Sequence, residues 1–290
     1  MFAFFERHGM LSISMTTIKA KKSLGQHFLR SKTALTQIVT AAHLGAGDTV
    51  LEIGPGEGAL TEGLLATGAR VVAVETDERC FEILRTKFAK ESHEGRFRLI
   101  AGDIRETSVQ EELFFLQALG VAPYKIVANI PYYITGMLFR LFLEHLRQPT
   151  QIVFLIQKEV ADGIVARDGK EGILSLSVKA YGTPRIVAKV KREAFSPPPK
   201  VDSAIVSVEG ISRTLLQGLS DEDYFRVVKA GLHAKRKMLL GNLSSELGIP
   251  RDLLEECFIK SDIASTLRGE DVPVEKWIAL APLLVTKKTI

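Results

Sequence analysis

Between positions 48 and 154, short runs of β-branched and other apolar residues alternate with longer stretches in which apolar residues recur every three or four positions. Thr49-Val-Leu-Glu-Ile-Gly54 is nearly continuously apolar and reads as a buried strand. Similar runs predict strands at 70–75, 97–100, 125–128 and 151–156, and amphipathic periodicity predicts helices at 59–67, 77–88, 109–119 and 134–146. Strands alternating with helices of this length build a parallel sheet with right-handed crossovers, so the class is α/β.

The pattern then changes twice. After helices expected at 159–165 and 173–181, two extended runs appear at 185–192 and 201–208, separated by Phe195-Ser-Pro-Pro-Pro199. Proline removes backbone donors and leaves no room for a helix between the runs, which are expected to pair antiparallel at the sheet edge. From about Leu215 onward the periodicity is helical only, at 221–233, 237–247, 251–257 and 274–283, with start signals at Ser220-Asp221 and Pro250-Arg251. The expected organisation is a flexible N-terminal extension over 1–20, an α/β domain over 21–212 and a small all-helical C-terminal domain over 213–290. Within the extension, Phe2, Phe4 and Phe5 are followed at once by Glu6-Arg7-His8, which interrupts any signal-peptide core.

Composition narrows the class. With 290 residues, 46% hydrophobic and 25% charged, the chain has an ordinary packed core and is neither collagen-like, coiled-coil nor disordered. No apolar run reaches the 18 or so residues of a membrane span. Cys80 and Cys257 lie far apart and share no ligand spacing with any of the six histidines, so no disulfide framework and no metal site are expected, and a reduced, cytoplasmic setting is. The net charge of +4 is unevenly spread. Arg7, Lys19, Lys21, Lys22, Arg30 and Lys32 fall in a stretch without a single acidic residue. A second cluster is Arg185, Lys189, Lys191, Arg192 and Lys200, and a third is Lys235-Arg236-Lys237. Three such clusters suit a polyanion-binding surface.

Candidate chemistry sits at the ends of the predicted strands, where an open α/β sheet binds ligands. Glu52-Ile-Gly54-Pro-Gly56-Glu-Gly58 closes the first strand and opens a helix. Its glycines let main chain approach a ligand, and Glu75, about 20 positions on, suits a ribose hydroxyl pair. The loop alone fits a nicotinamide dinucleotide and S-adenosylmethionine equally well. Asp103 and Ile104 follow the third strand, where a carboxylate can accept from an adenine amino group while isoleucine packs on the ring; Asp103 serves equally well as a helix cap. The fourth strand ends in Asn129-Ile130-Pro131-Tyr132. An exocyclic amine on a base is a poor nucleophile because its lone pair is conjugated into the ring. Two fixed acceptors, the Asn129 side-chain oxygen and the carbonyl of Ile130 or Pro131, can bind both amine hydrogens and favour a pyramidal nitrogen. Pro131 stiffens the loop, and Tyr132 offers a stacking face worth on the order of 1–3 kcal/mol. Hydride transfer has no use for this set.

With these motifs the chain resembles the ribosomal RNA adenine dimethyltransferases, which modify two adjacent adenosines near the end of small-subunit ribosomal RNA. The resemblance spans about 21–283 and is carried also by Lys22-Ser-Leu-Gly25-Gln26-His27-Phe28-Leu29, Gln157-Lys-Glu-Val160-Ala161, Phe195-Ser-Pro197-Pro-Pro199-Lys-Val201-Asp-Ser203 and Arg268-Gly-Glu-Asp-Val272. It implies a Rossmann-like methyltransferase domain that uses S-adenosylmethionine. His27 and Leu29 would contact the methionine end of the cofactor, Gly54 and Gly56 its carboxylate, Glu75 the ribose, Asp103 and Ile104 the adenine, and Asn129 both cofactor and target amine. Phe195 would stack on the target adenine opposite Tyr132. The implied partner is 16S ribosomal RNA in the 30S subunit or its precursor, met by a cytoplasmic monomer without a membrane or metal. Departures are His27 where many relatives have Asn, Tyr133 in place of a frequent Asn, and Gly136-Met137 where Ser or Thr is common.

Three rivals remain at this stage. The 23S adenine methyltransferases of macrolide resistance share the glycine loop and the Asn-x-Pro-Tyr motif, although the Phe195–Ser203 segment and the helical tail favour the small-subunit group. A catalytically silent assembly factor would keep the fold and lose turnover. A nicotinamide oxidoreductase would leave Asn129 and Tyr132 unexplained.

Overall fold

The structure, a computed structural model, describes residues 18–21, 24–114 and 123–286. Its strands are β1 (Phe28–Leu29), β2 (Thr49–Ile53), β3 (Arg70–Glu75), β4 (Phe97–Ala101), β5 (Tyr124–Asn129), β6 (Gln151–Gln157), β7 (Thr183–Val190), β8 (Phe195–Ser196) and β9 (Ser203–Glu209). Seven of them form one sheet in the order β4-β3-β2-β5-β6-β9-β7. The first five run parallel, with registers such as Ile53↔Val74 and Leu51↔Ile126. β9 returns antiparallel against β6, and β7 pairs antiparallel with β9 to form the edge. Strand order reverses between β2 and β5, which puts the crevice at the carboxyl ends of those two strands, where Gly54 and Asn129 stand.

Side chains alternate between the two faces of the sheet, as the two-residue period of a strand requires. Val50, Val71, Ala73, Val127 and Val153 pack on one face with Ile38 and Leu64. Leu51, Val72, Val74, Ile126 and Phe154 pack on the other, in a cluster that continues into the C-terminal helices as far as Leu284. Those helices, Asp221–Gly231, Leu239–Leu247, Arg251–Lys260 and Val274–Thr286, close around Trp277 and Tyr224, both fully buried. Ser220 starts the first of them by accepting from Asp223 N–H. Among the described residues, no helix is long and apolar enough to cross a membrane, and no group of His, Cys, Asp and Glu is placed to hold a metal ion.

The structure departs from expectation in several places. Helix Lys32–Ala41 has no counterpart in the sequence reading: its threonines and β-branched residues are weak helix formers, but Ser31 caps it and Ala34, Ile38 and Ala41 bury one face. Between the two extended runs, where a helix was excluded, one 3₁₀ turn fits at Arg192–Ala194, followed by β8. β8 pairs antiparallel with β1, Leu29 opposite Phe195, a contact with no local signature. The helix expected at 109–119 is described over Thr107–Phe114, and the rest of it lies outside the described residues. Most of the expected flexible extension, 1–17, also lies outside them, but its described end is held: Ile18 N–H donates to Glu57 and Lys19 O accepts from Arg79.

Candidate active site

A cleft of about 1200 Å³, its open mouth included, lies over the carboxyl ends of β2, β3 and β5. Its floor is the loop after β2. Gly54 has φ +66°, and a Cβ there would meet no protein atom within 4 Å, so the bare main chain borders the open cleft. Gly58 begins the next helix at φ +80°, and a Cβ on it would come within 2.7 Å of the Phe88 ring, so only glycine fits.

Glu75 ends β3 with its carboxylate almost fully buried. One oxygen accepts from Gly56 N–H at 2.9 Å and the other from Asp77 N–H at 2.8 Å, so the side chain braces the glycine loop. Burial pushes its ionisation upward against those bonds. Asp77 ties down the segment that precedes β1: Arg79, Gln26 and Lys21 all donate to it and hold its carboxyl well below the usual range. Asp103, after β4, is gripped by the fork of Arg105 through both oxygens, which lowers its ionisation, and Ile104 beside it is buried. The guanidinium of Arg105 also lies 6.0 Å from the ring centre of Tyr133, a residue 61% exposed at the mouth.

At the tip of β5, Asn129 Nδ2 donates to His27 O at 3.2 Å. A carbonyl can only accept, so the orientation of the amide is chemically determined and Oδ1 is left as an acceptor in the cleft. Pro131 O accepts from Ile134 N–H at 3.2 Å, which leaves Ile130 O as the better second acceptor. Tyr132 Oη is 2.7 Å from Ser203 Oγ, and its ring lies 6.1 Å from the His27 ring at an interplanar angle of 20°. His27 Nδ1 is 2.8 Å from Pro197 O.

Thus His27, Leu29, Gly54, Gly56, Glu75, Asp103, Ile104, Asn129, Pro131 and Tyr132 all line one cleft. Phe195 does not. It is 4% exposed and packed in the apolar cluster with Leu29, Val190 and Ile205, directly opposite Leu29 in the β1–β8 pair. The basic clusters are also thinner than the sequence suggests. Lys21 pairs with Asp77, Arg30 with Glu57, Arg185 with Glu209, Lys191 with Asp202 and Arg192 with Glu193. Among the described residues, Lys19, Lys32, Lys189, Lys200, Lys235, Arg236 and Lys237 are exposed and make no ion pair. Glu52, which opens the glycine motif but was given no role, also lines the cleft: it is 1% exposed, accepts from Thr61 Oγ1 at 2.7 Å, and burial pushes its carboxyl up to about 8. An acidic residue inside an otherwise apolar strand was its signal.

The family model for ribosomal RNA adenine dimethylase matches residues 17–284. The chain belongs to that family. Membership makes it a methyltransferase acting on adenine in ribosomal RNA. The chain is 44% identical over 262 residues to ribosomal RNA small subunit methyltransferase A of Dehalococcoides mccartyi (strain CBDB1), covering 90% of this chain and 87% of the relative. Among solved structures, it superposes on the 23S rRNA methyltransferase ErmE with a TM-score of 0.67 and 26% identity, over 89% of this chain and 99% of that one. A dimethyladenosine transferase from Plasmodium falciparum shares the fold at a TM-score of 0.76 and 24% identity, over 91% of this chain and 99% of that one.

Proposed function

We propose that this protein transfers methyl groups from S-adenosylmethionine to the 6-amino groups of two adjacent adenosines in a hairpin loop near the 3′ end of 16S ribosomal RNA, twice per adenosine, acting as a cytoplasmic monomer on the small subunit or its precursor. The residues of the cleft fit the cofactor. The open main chain at Gly54 and Gly56 suits its carboxylate, the lone pairs left on Glu75 suit ribose hydroxyls, and Asp103 with Ile104 suits an adenine ring and its amino group. Leu29 and the His27 main chain bound the methionine end. When bound, S-adenosylmethionine supplies a methyl group already activated by a sulfonium.

The chain's own part is alignment, which is where most of such a rate enhancement arises. Asn129 Oδ1 and Ile130 O accept the two amine hydrogens and draw the nitrogen lone pair out of conjugation, and Tyr132 holds the base by its face. The observation that carries this reading is the bond from Asn129 Nδ2 to His27 O, which leaves the side-chain oxygen as the acceptor beside Tyr132. Lys19, Lys32, Lys189, Lys200 and Lys235–Lys237 would meet the phosphates. A hairpin loop suits the site because its bases leave their stack at low cost. The higher identity to the small-subunit relative than to ErmE supports 16S over 23S RNA as the target.

The test is transfer of labelled methyl groups by the purified protein to unmodified small and large subunits, with the modified nucleotides mapped by primer-extension arrest. Label in the small subunit, with arrests at two neighbouring adenosines near the 3′ end, is expected. Arrests in 23S RNA would move the target, and no transfer to either subunit would leave a silent assembly factor.

A further inference from the structure

We propose that Arg105 is a positioning residue that makes the cleft selective for a cofactor base bearing a 6-amino group, by gripping Asp103 so that its carboxylate presents a single fixed acceptor. The inference deepens the cofactor reading above and rests on its assignment of Asp103 to the adenine. Asp103 and Arg105 both line the cleft after β4, with Ile104 buried between them. A carboxylate accepts hydrogen bonds at about four positions. Three N–H groups of Arg105 occupy most of them: the main-chain N–H donates to Oδ1 at 2.9 Å, Nε lies 2.9 Å from Oδ1 and 3.0 Å from Oδ2, and Nη2 donates to Oδ2. About one acceptor position is left.

The grip is itself held. The Arg105 guanidinium lies 6.0 Å from the centre of the Tyr133 ring, within cation–π range. Tyr133 is backed by Gly25, where a Cβ would stand 3.4 Å from its Cε1. Contacts therefore run from Asp103 through Arg105 and Tyr133 to the segment that precedes β1, and they fix this corner of the cleft from two sides. A carboxylate held by a guanidinium fork cannot turn to suit a different base. It accepts from an amino hydrogen, whereas a 6-oxo group offers only lone pairs and is repelled. Freed of the fork, the same side chain is partly exposed and would rotate toward water, losing the amino group and tolerating the oxo group. On an open surface an ion pair two residues apart contributes little. Its place in the cleft lining is what gives this one a function.

The test needs binding only. S-adenosylhomocysteine and its 6-oxo counterpart, S-inosylhomocysteine, are titrated calorimetrically into wild-type protein and into the Arg105→Ala and Arg105→Lys variants. The Arg105 side chain is half exposed, so both variants are expected to fold. Wild type should prefer the amino form by about tenfold or more, the range of one hydrogen bond to a charged group. Arg105→Ala should lower that preference by about threefold or more, through weaker binding of S-adenosylhomocysteine, while its affinity for S-inosylhomocysteine is no lower than that of wild type. Arg105→Lys keeps the charge without the fork and should resemble Arg105→Ala. An Arg105→Ala protein that keeps the wild-type preference, or binds S-adenosylhomocysteine more tightly, overturns the assignment, and so does an Arg105→Lys protein as selective as wild type. A wild type that binds both compounds equally shows instead that Asp103 does not read the base, and a wild type that binds neither overturns the cofactor reading beneath it.

Discussion

Asn129 Nδ2 donates to the main-chain oxygen of His27 at 3.2 Å, joining the tip of β5 to a segment 102 positions earlier in the chain. The amide has two ends, and this bond fixes which of them is left to meet a substrate. Replacing Asn129 by Ala removes the acceptor and the tether together. Methyl transfer by Asn129→Ala should fall by well over tenfold in single-turnover assays, while RNA affinity in filter binding stays close to wild type, because the lost group acts on the geometry of the amine. An Asn129→Ala enzyme as fast as wild type would remove the residue from the mechanism.

Glu75 leads to a sharper test than simple truncation. Both of its oxygens accept from main-chain N–H groups, of Gly56 and Asp77, in a nearly buried setting. Glutamine is nearly isosteric but must turn an N–H₂ toward one of those donors, and a buried unsatisfied donor costs about 1–3 kcal/mol. Glu75→Gln should therefore weaken S-adenosylmethionine binding by about tenfold or more in calorimetric titration and lower the thermal midpoint as well. Wild-type affinity in Glu75→Gln would contradict the ribose assignment.

Most of the sheet was legible because each parallel strand is a short apolar run bounded by a helix, and the site residues follow those strands within a few positions: Gly54 after β2, Glu75 at the end of β3, Asn129 at the end of β5. What stayed hidden is non-local. The pairing of β1 with β8, which sets the buried Phe195 opposite Leu29, joins two-residue strands that have no periodicity of their own. The helix Lys32–Ala41 is carried by its cap and by burial against the sheet rather than by propensity. Charge runs misled in the same way, since Lys21, Arg30, Arg185 and Lys191 find carboxylates that the sequence places far away or beyond a turn.

The basic residues without partners make a prediction of their own. Lys235, Arg236 and Lys237 are exposed in the turn between Asp221–Gly231 and Leu239–Leu247 and make no ion pair among the described residues. Each phosphate they neutralise should contribute about 0.7–0.9 to the slope of log affinity against log salt. Replacing all three by Ala should flatten that slope by roughly 2 while leaving single-turnover methyl transfer at saturating RNA near wild type. An unaltered slope would mean that this turn does not touch the RNA.

Gly231 tests the packing of the helical region. A Cβ at this position would stand 2.3 Å from Trp277 Cη2 and 2.5 Å from Leu239 Cδ1, inside a core where Trp277 is fully buried. One added methyl must push the indole or the helix aside, and overpacking of this kind costs about 1–3 kcal/mol. Gly231→Ala should lower the urea midpoint accordingly without changing S-adenosylmethionine affinity at temperatures where the protein stays folded, since the cleft lies over the sheet. A variant as stable as wild type would show that the tryptophan has room to move.

Glu52 predicts how stability depends on pH. Burial pushes its carboxyl from an ordinary 4.5 up to about 8, with the Thr61 hydroxyl opposing the shift and Glu75 adding to it. In the folded chain the group therefore keeps its proton over a range where the unfolded chain has lost it. The folded state binds more protons there, so this contribution is fully present below about 4.5 and is lost as pH rises toward 8. A shift of that size is worth on the order of 4–5 kcal/mol. Glutamine reproduces the neutral, hydrogen-bonding form without a proton to lose. Glu52→Gln should thus match wild type near pH 5 and exceed it by a few kcal/mol near pH 8 in urea unfolding, with a flatter stability profile between the two. If the two proteins instead lost stability in parallel across that range, the carboxyl would have to be ionised where it lies, and its near-total burial beside Thr61 would need another charge to hold it.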